Sequence, residues 1–240
     1  MIIEGKNPVK EALNSAATIE KLYCLKTNDP QLGYVATLAK QKNIKVILAD
    51  KELLDKLSPT KRHQGVLAVS TDFVYCTVSD ILAVAKQKNE PHFIVILDGV
   101  EDPHNLGAII RSCEGAGVHG IIIGKHRAAG VTDAVVKVSS GAVQHMLIAK
   151  VTNINDIIRE LKNNFISIYA ADMSGTPMYG ADMRGDIAFI IGSEGSGIHA
   201  LTAKLADKII SIPARGKINS LNASAACGII VYEAVRQRVS

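Results

Sequence analysis

Arginine, asparagine, glutamate and serine recur where apolar runs of this chain break off, and the first such break reads DPHNLGAIIRSCEG, residues 102–115. Leu106, Ile109, Ile110 and Cys113 stand at i, i+3, i+4 and i+7, so the stretch is expected to be a helix with one buried stripe. Arg111 then projects nearly opposite that stripe, with Gly107 and Glu114 toward its side. A guanidinium there is either a solvated surface charge or a group held for a reacting oxygen or an anion. Asp102 followed by Pro103 is a good helix start, which puts Asn105 in the first turn; alternatively Asn105 is itself the cap.

The second break is IIGSEGSGIHA, with Gly192, Gly195 and Gly197 between an apolar run and a helix. The order is G-x-x-G-x-G rather than the G-x-G-x-x-G of dinucleotide loops, and Glu194 would oppose a phosphate at a helix N-terminus. Gly124-Lys125 does not make a P-loop either, because His126 follows it and His119 occupies the upstream glycine position. The loop suits a tight turn needing positive φ, or a ligand whose contacted part is uncharged or cationic. The third break is ISIPARGKINSLNASAACGII. After a strand comes an Arg215-Gly216-Lys217 turn, and then Asn219 or Ser220 caps a helix that opens with Leu221 and Asn222. Its small residues let a helix or a ligand come close to the backbone.

Elements must carry these loops to one place. Strand-like and helix-like runs alternate along all 240 residues, with no repeats and no low-complexity tract. Residues 1–73 read as a small α/β unit, beginning with a helix over NPVKEALNSA capped by Asn7. Residues 74–91 end in a Lys-Asn-Glu-Pro break and read as a linker. Residues 92–240 open with FIVILDGV, apolar enough for a strand buried on both faces of a parallel sheet. The expected architecture is an open parallel sheet with helices on both sides, ligands binding beyond the carboxyl ends of its strands.

Composition excludes some chemistries. The hydrophobic fraction is 48% with no Trp, so the core is aliphatic. Net charge is +4, of which +3 falls in residues 1–73: compatible with nucleic acid, no proof of it. Four isolated cysteines and seven unpaired histidines give neither metal-ligand spacing nor a disulfide framework. No charged-then-apolar leader and no run of membrane-span length stand out, so a soluble, reduced, cytoplasmic protein is expected.

Taken together and in order, the three breaks resemble the three motifs of the SpoU (TrmH-like) branch of the SPOUT RNA methyltransferases. The Asn-Leu-Gly-x-x-x-Arg helix is similar to the first motif, IIGSEGSG to the second and ISIP…SLNASAACGI to the third. EGKNPVKEAL and HQGVLAV resemble the small α/β RNA-binding domain that precedes many members. The subgroup most resembled is the bacterial 23S ribosomal-RNA guanosine 2′-O-methyltransferases.

The resemblance implies a parallel-sheet domain with a C-terminal trefoil knot, which topology rules alone would not give. It also implies a homodimer, an RNA substrate and S-adenosylmethionine as methyl donor, with Gly192, Ile212 and Leu221 at the donor. Arg111 matches the family's catalytic arginine, with Asn105, Glu194, Ser220 and Asn222 around it. Ala214 departs from the pattern, since members often carry a larger residue after the proline.

Methyl transfer to a ribose 2′-OH is an in-line displacement, so positioning supplies much of the acceleration. Arginine, with a solution pKa of about 12.5–13.8, is an awkward base. Arg111 is therefore expected to orient the hydroxyl and a neighbouring phosphate, accepting the proton only where the local arrangement permits. Lys61-Arg62-His63 and Arg215-Gly-Lys217 could meet RNA phosphates, or be solvated basic loops. Competing readings are a tRNA methyltransferase, a non-catalytic ribosome-assembly factor on the same scaffold, and a nicotinamide-dependent oxidoreductase. The glycine order and Glu194 disfavour the last.

Overall fold

The computed structural model describes residues 2–14, 18–71, 73–216 and 220–239. The chain divides into two compact units, one comprising residues 1–74 with 130–133, the other residues 75–129 with 134–240.

The first unit runs β1 (Ile2–Glu4), α1 (Lys6–Asn14), β2 (Thr18–Leu25), α2 (Pro30–Gln41), β3 (Lys45–Ala49), α3 (Lys51–Leu57) and β4 (Val66–Thr71). Its sheet order is β1-β4-β2-β3, parallel at β2–β3 and antiparallel at the other pairings. Strand β1 had no counterpart in the sequence reading, because three residues are too few for a period to show. Helix α1 begins at Lys6, so Asn7 lies inside it rather than capping it. Val9, Leu13, Leu22, Leu32 and Val35 form the unit's core.

The second unit runs α4 (Val78–Lys88), β5 (Phe93–Asp98), α5 (Pro103–Gly115), β6 (Gly120–Gly124), α6 (Asp133–Val138), β7 (Ile148–Val151), α7 (Ile154–Asn163), β8 (Ser167–Pro177), β9 (Ile187–Gly192), α8 (Ala200–Leu205), β10 (Lys208–Ser211) and α9 (Ala223–Arg238). Its six strands lie in the order β10-β8-β9-β5-β6-β7, every pairing parallel. Central β5 is buried throughout, and β9 over Ile187–Ile191, which explains their unbroken apolar sequences. Each fully buried Ile or Phe there stabilises the fold by roughly 1.5–3 kcal/mol relative to exposure.

Most of the stretch read as a linker is structured instead. Helix α4 starts in a capping box between Thr77 and Asp80 and buries Val78, Ile81 and Leu82 in the second unit's core. Its polar end marks a helix terminus, where Asn89 takes the left-handed conformation. Helix α9 begins at Ala223 with Asn222 as its cap, not at Ser220. Asn219, the other expected cap, lies outside the described residues. Among the described residues no helix is long and apolar enough to cross a membrane.

Candidate active site

Strands β5, β8, β9 and β10 are mutually parallel, so their carboxyl ends emerge on one edge of the sheet. Asp102 caps α5 by accepting from the His104 N–H at 3.0 Å, and Pro103 fills the first position. This frees the side chain of Asn105, which is 7% exposed. At the far end of the chain, Asn222 caps α9 through Oδ1, accepting from the N–H groups of Ser224 and Ala225 at 3.0 and 3.2 Å. The Nδ2 of Asn222 then donates to Asn105 Oδ1 at 2.9 Å and also to Glu194 Oε1. Asn105 Nδ2 donates to the same Glu194 oxygen at 3.1 Å. Three residues from the three breaks thus close one ring of hydrogen bonds.

The glycine loop that carries Glu194 folds on itself. Ser193 and Gly197 exchange both backbone hydrogen bonds at 3.1 Å, and Gly197 has φ +66°. A Cβ on Gly192 would lie 2.3 Å from the carbonyl carbon of Gly197, so no larger residue fits that strand end.

This loop lines two cavities. The first, about 400 Å³, has Gly192, Glu194, Ile212, Ser220 and Leu221 in its wall, with Asp172 midway along β8 and Ala214 after β10. Among the described residues its sides are aliphatic, its two charged groups are acidic, and no cation lines it. The Ser174 hydroxyl and N–H donate to Asp172 at 2.6 and 2.9 Å and hold its carboxyl below the usual carboxylate range. Such a cavity fits a molecule with an apolar planar part and a positive charge. The second cavity, about 540 Å³, shares the 193–196 loop and adds Asn105, Asp102, Arg127 and His199.

The structure therefore brings Asn105, Glu194 and Asn222 into contact, and sets Gly192, Ile212, Ser220 and Leu221 around the adjoining cavity. Arg111 does not join them. It is exposed on α5, lines neither cavity of the single chain, and makes no hydrogen bond or ion pair among the described residues. Six residues of helix carry it about 9 Å along and roughly 240° around from Asn105. The expected stripe Leu106, Ile109, Ile110 and Cys113 is buried. Gly107, by contrast, serves packing and not the arginine: a Cβ there would meet Val138 at 2.7 Å.

The basic loops divide similarly. Lys61 and Arg62 are exposed, whereas His63 is buried and fully engaged, accepting from Gly65 N–H at Nδ1 and donating from Nε2 to Asp55, each at 3.0 Å. It has no ring nitrogen left for RNA. Arg215 is exposed in the loop after β10, and Lys217 lies outside the described residues. Sequence reasoning missed Arg127, Asp98 and His199, which no local motif joins.

A parallel α/β domain with a cavity at the carboxyl edge of its sheet, in one chain with a small mixed-sheet domain, belongs to the class of open α/β folds whose ligands bind beyond the strand ends. Within it, the chain belongs to the SpoU rRNA Methylase family, which matches residues 92–232, and residues 2–75 match the RNA 2′-O ribose methyltransferase substrate-binding domain. A protein named as a TrmH family tRNA/rRNA methyltransferase, YacO, from Bacillus subtilis is 40% identical over 98% of this chain and 94% of its own length. The 23S rRNA (guanosine-2′-O-)-methyltransferase RlmB of Coxiella burnetii is 39% identical over 98% and 95%. The crystal structure of the SpoU methyltransferase AviRb from Streptomyces viridochromogenes with its cofactor AdoMet aligns over 100% of this chain and 90% of that one, with TM-score 0.64 and 25% identity.

Proposed function

We propose that this protein transfers a methyl group from S-adenosylmethionine to the 2′-hydroxyl of a guanosine ribose in 23S rRNA, as a homodimer in the cytoplasm. The observation that carries the reading is the Asn105–Glu194–Asn222 ring between two cavities at the edge of a parallel sheet. Matches to the family and its substrate-binding domain support RNA as the acceptor, and the Coxiella relative supports the guanosine of 23S rRNA.

The first cavity suits the donor: aliphatic walls for a purine, and Asp172 and Glu194 for its positive charge. S-adenosylmethionine supplies an electrophilic methyl group on a cationic sulfur. Gly192, Ile212 and Leu221 hold it by backbone and apolar contact, and Ser220 shapes the mouth. Asn105 and Asn222 keep Glu194 in place, so the carboxylate acts as a fixed charge rather than a mobile base. The C-terminal segment threads a trefoil knot, a reading that the match to the SpoU family supports.

Arg111 orients the ribose hydroxyl and a phosphate, and the homodimer gives it access. Helix α5 packs on α9, the hydroxyl of Tyr232 lies 3.0 Å from where a Gly115 Cβ would stand, and Gly115 is one turn from Arg111. Tyr232 and Ile229 on α9 are exposed, so this face carries apolar surface for a second copy to cover. Lys61, Arg62, Arg215 and Lys217 add phosphate contacts.

Incubation with methyl-labelled donor and unmodified 23S rRNA or tRNA transcripts, followed by nucleoside mass spectrometry, tests the reading. Labelled 2′-O-methylguanosine from the 23S transcript is expected. Label on a base, label on tRNA alone, or no label at all would overturn it.

A further inference from the structure

The second cavity holds a cation and a histidine that the ring of hydrogen bonds does not use. Arg127 lines it from the loop after β6, is exposed, and has no hydrogen bond or ion pair among the described residues. Its backbone sits at φ +52°, uncommon for a residue other than glycine, and the loop is tied down two residues later where Ala129 N–H donates to Val100 at 2.7 Å. It is the cavity's single Arg or Lys among the described residues. His199 lines the cavity as well. Both its backbone N–H and its ring Nδ1 bond to the buried carboxylate of Asp98, each at 2.8 Å, and the ring packs against Gly99. Nδ1 is thereby occupied, and Nε2 is the nitrogen left for a ligand.

Of the three acids in the same wall, Glu101, Asp102 and Glu194, two are committed. Asp102 caps α5, and Glu194 accepts from both asparagines. A molecule bound here therefore meets acidic and neutral hydrogen-bonding groups together with a guanidinium that no hydrogen bond or ion pair commits among the described residues. A nucleotide offers partners for both: ribose hydroxyls for the acceptors and an anionic phosphodiester for the guanidinium. Guanidinium and phosphate pair through two parallel hydrogen bonds, which a single ammonium cannot reproduce.

We propose that this cavity receives the target nucleotide of the RNA, with Arg127 gripping its phosphodiester and His199, oriented by Asp98, bonding an oxygen of the same nucleotide through Nε2. The inference rests on the methyltransferase reading and assigns the acceptor side of that site.

The test compares wild type with Arg127→Gln, Arg127→Lys and His199→Ala. It uses unmodified 23S rRNA and tRNA transcripts in filter binding across a salt series, calorimetry with S-adenosylmethionine, steady-state methyl transfer and thermal melting. For the transcript that wild type methylates, Arg127→Gln is expected to weaken binding and raise KM by about tenfold, the loss of one charge-assisted contact. It should also reduce the salt slope by about 0.7–1. Arg127→Lys restores the slope and only part of the affinity, and His199→Ala weakens binding without changing the slope. Donor affinity stays at its wild-type value in every variant, and melting temperature does so in both Arg127 variants, whereas His199→Ala melts lower because the buried Asp98 carboxylate loses its ring partner.

Wild-type RNA affinity and slope in Arg127→Gln, with wild type active, would overturn this assignment alone. Parallel loss of donor affinity or of the fold in that variant would overturn it too, by showing a general structural role. A wild-type protein that methylates neither transcript would sink the functional reading, and this inference with it.

Discussion

Asn222 does two jobs with its two amide atoms. Its oxygen ends the exposed N–H groups of α9, and its nitrogen ties α5 and the glycine loop to that helix. Substitution separates the jobs. Asn222→Asp keeps a capping oxygen but replaces the donor with a second acceptor facing Glu194, whereas Asn222→Ala removes both and costs about 1 kcal/mol for the cap. Methyl transfer should fall at least about tenfold in both variants, the equivalent of one lost hydrogen bond to a charged group. Melting should drop further in Asn222→Ala. Full activity in Asn222→Asp would show that the Nδ2 bonds do nothing for catalysis. The family resemblance implies Asn105 and Asn222 around Arg111, while the residues alone put Asn222 in the opening turn of a helix capped by Asn219 or Ser220, whereas it is itself the cap. The reason is physical: Asn219, Ser220 and Asn222 are all residue types that cap well, and the choice depends on tertiary partners, which Asn222 finds in Asn105 and Glu194.

At the scale of elements, the glycine loop and α9 are the parts whose geometry the site needs. A methyl group on Gly192 would overlap the Gly197 carbonyl, and relieving such overpacking costs about 1–3 kcal/mol. Gly192→Ala is expected to lower donor affinity in calorimetry by about tenfold or more, since the displaced loop is a cavity wall. Unchanged donor affinity would place the donor elsewhere. Within the last turns of α9, Arg236 and Gln237 donate to Glu233 and bring its carboxyl down to about 2. A depressed carboxyl stabilises the fold above its ordinary pKa near 4.5, and that contribution is lost as pH falls toward about 2. Urea unfolding of Glu233→Gln should therefore show lower stability than wild type at pH 7 and a shallower decline between pH 4.5 and 2. Parallel profiles would remove Glu233 from the acid limb. Long, strongly periodic elements such as β5, α5 and β9 were readable in the sequence because burial on one or both faces leaves a regular apolar pattern. Helix α4 was not recognised as part of the domain, since its polar end looks like a boundary. The second cavity was invisible because Asp98 and His199 meet across 101 positions, a pairing only the parallel β5–β9 register creates.

In the single chain, Arg111 stands outside both cavities. If the homodimer covers the α5–α9 face, the arginine can serve the other copy. Arg111→Ala and Glu194→Ala chains, each inactive alone, should then regain activity when co-expressed, because each mixed dimer holds one intact site. No recovery would mean that Arg111 serves its own chain or none. The claim on which everything else depends is that the donor lies in the cavity of Gly192, Ile212 and Leu221, its methyl carbon toward Asn105, Glu194 and Asn222. A crystal structure of the protein with S-adenosylmethionine measures this directly. The expected result is the purine against the aliphatic wall and the sulfur beside Glu194; a donor seated in the Arg127 cavity, or anywhere remote from the three joined side chains, would contradict it.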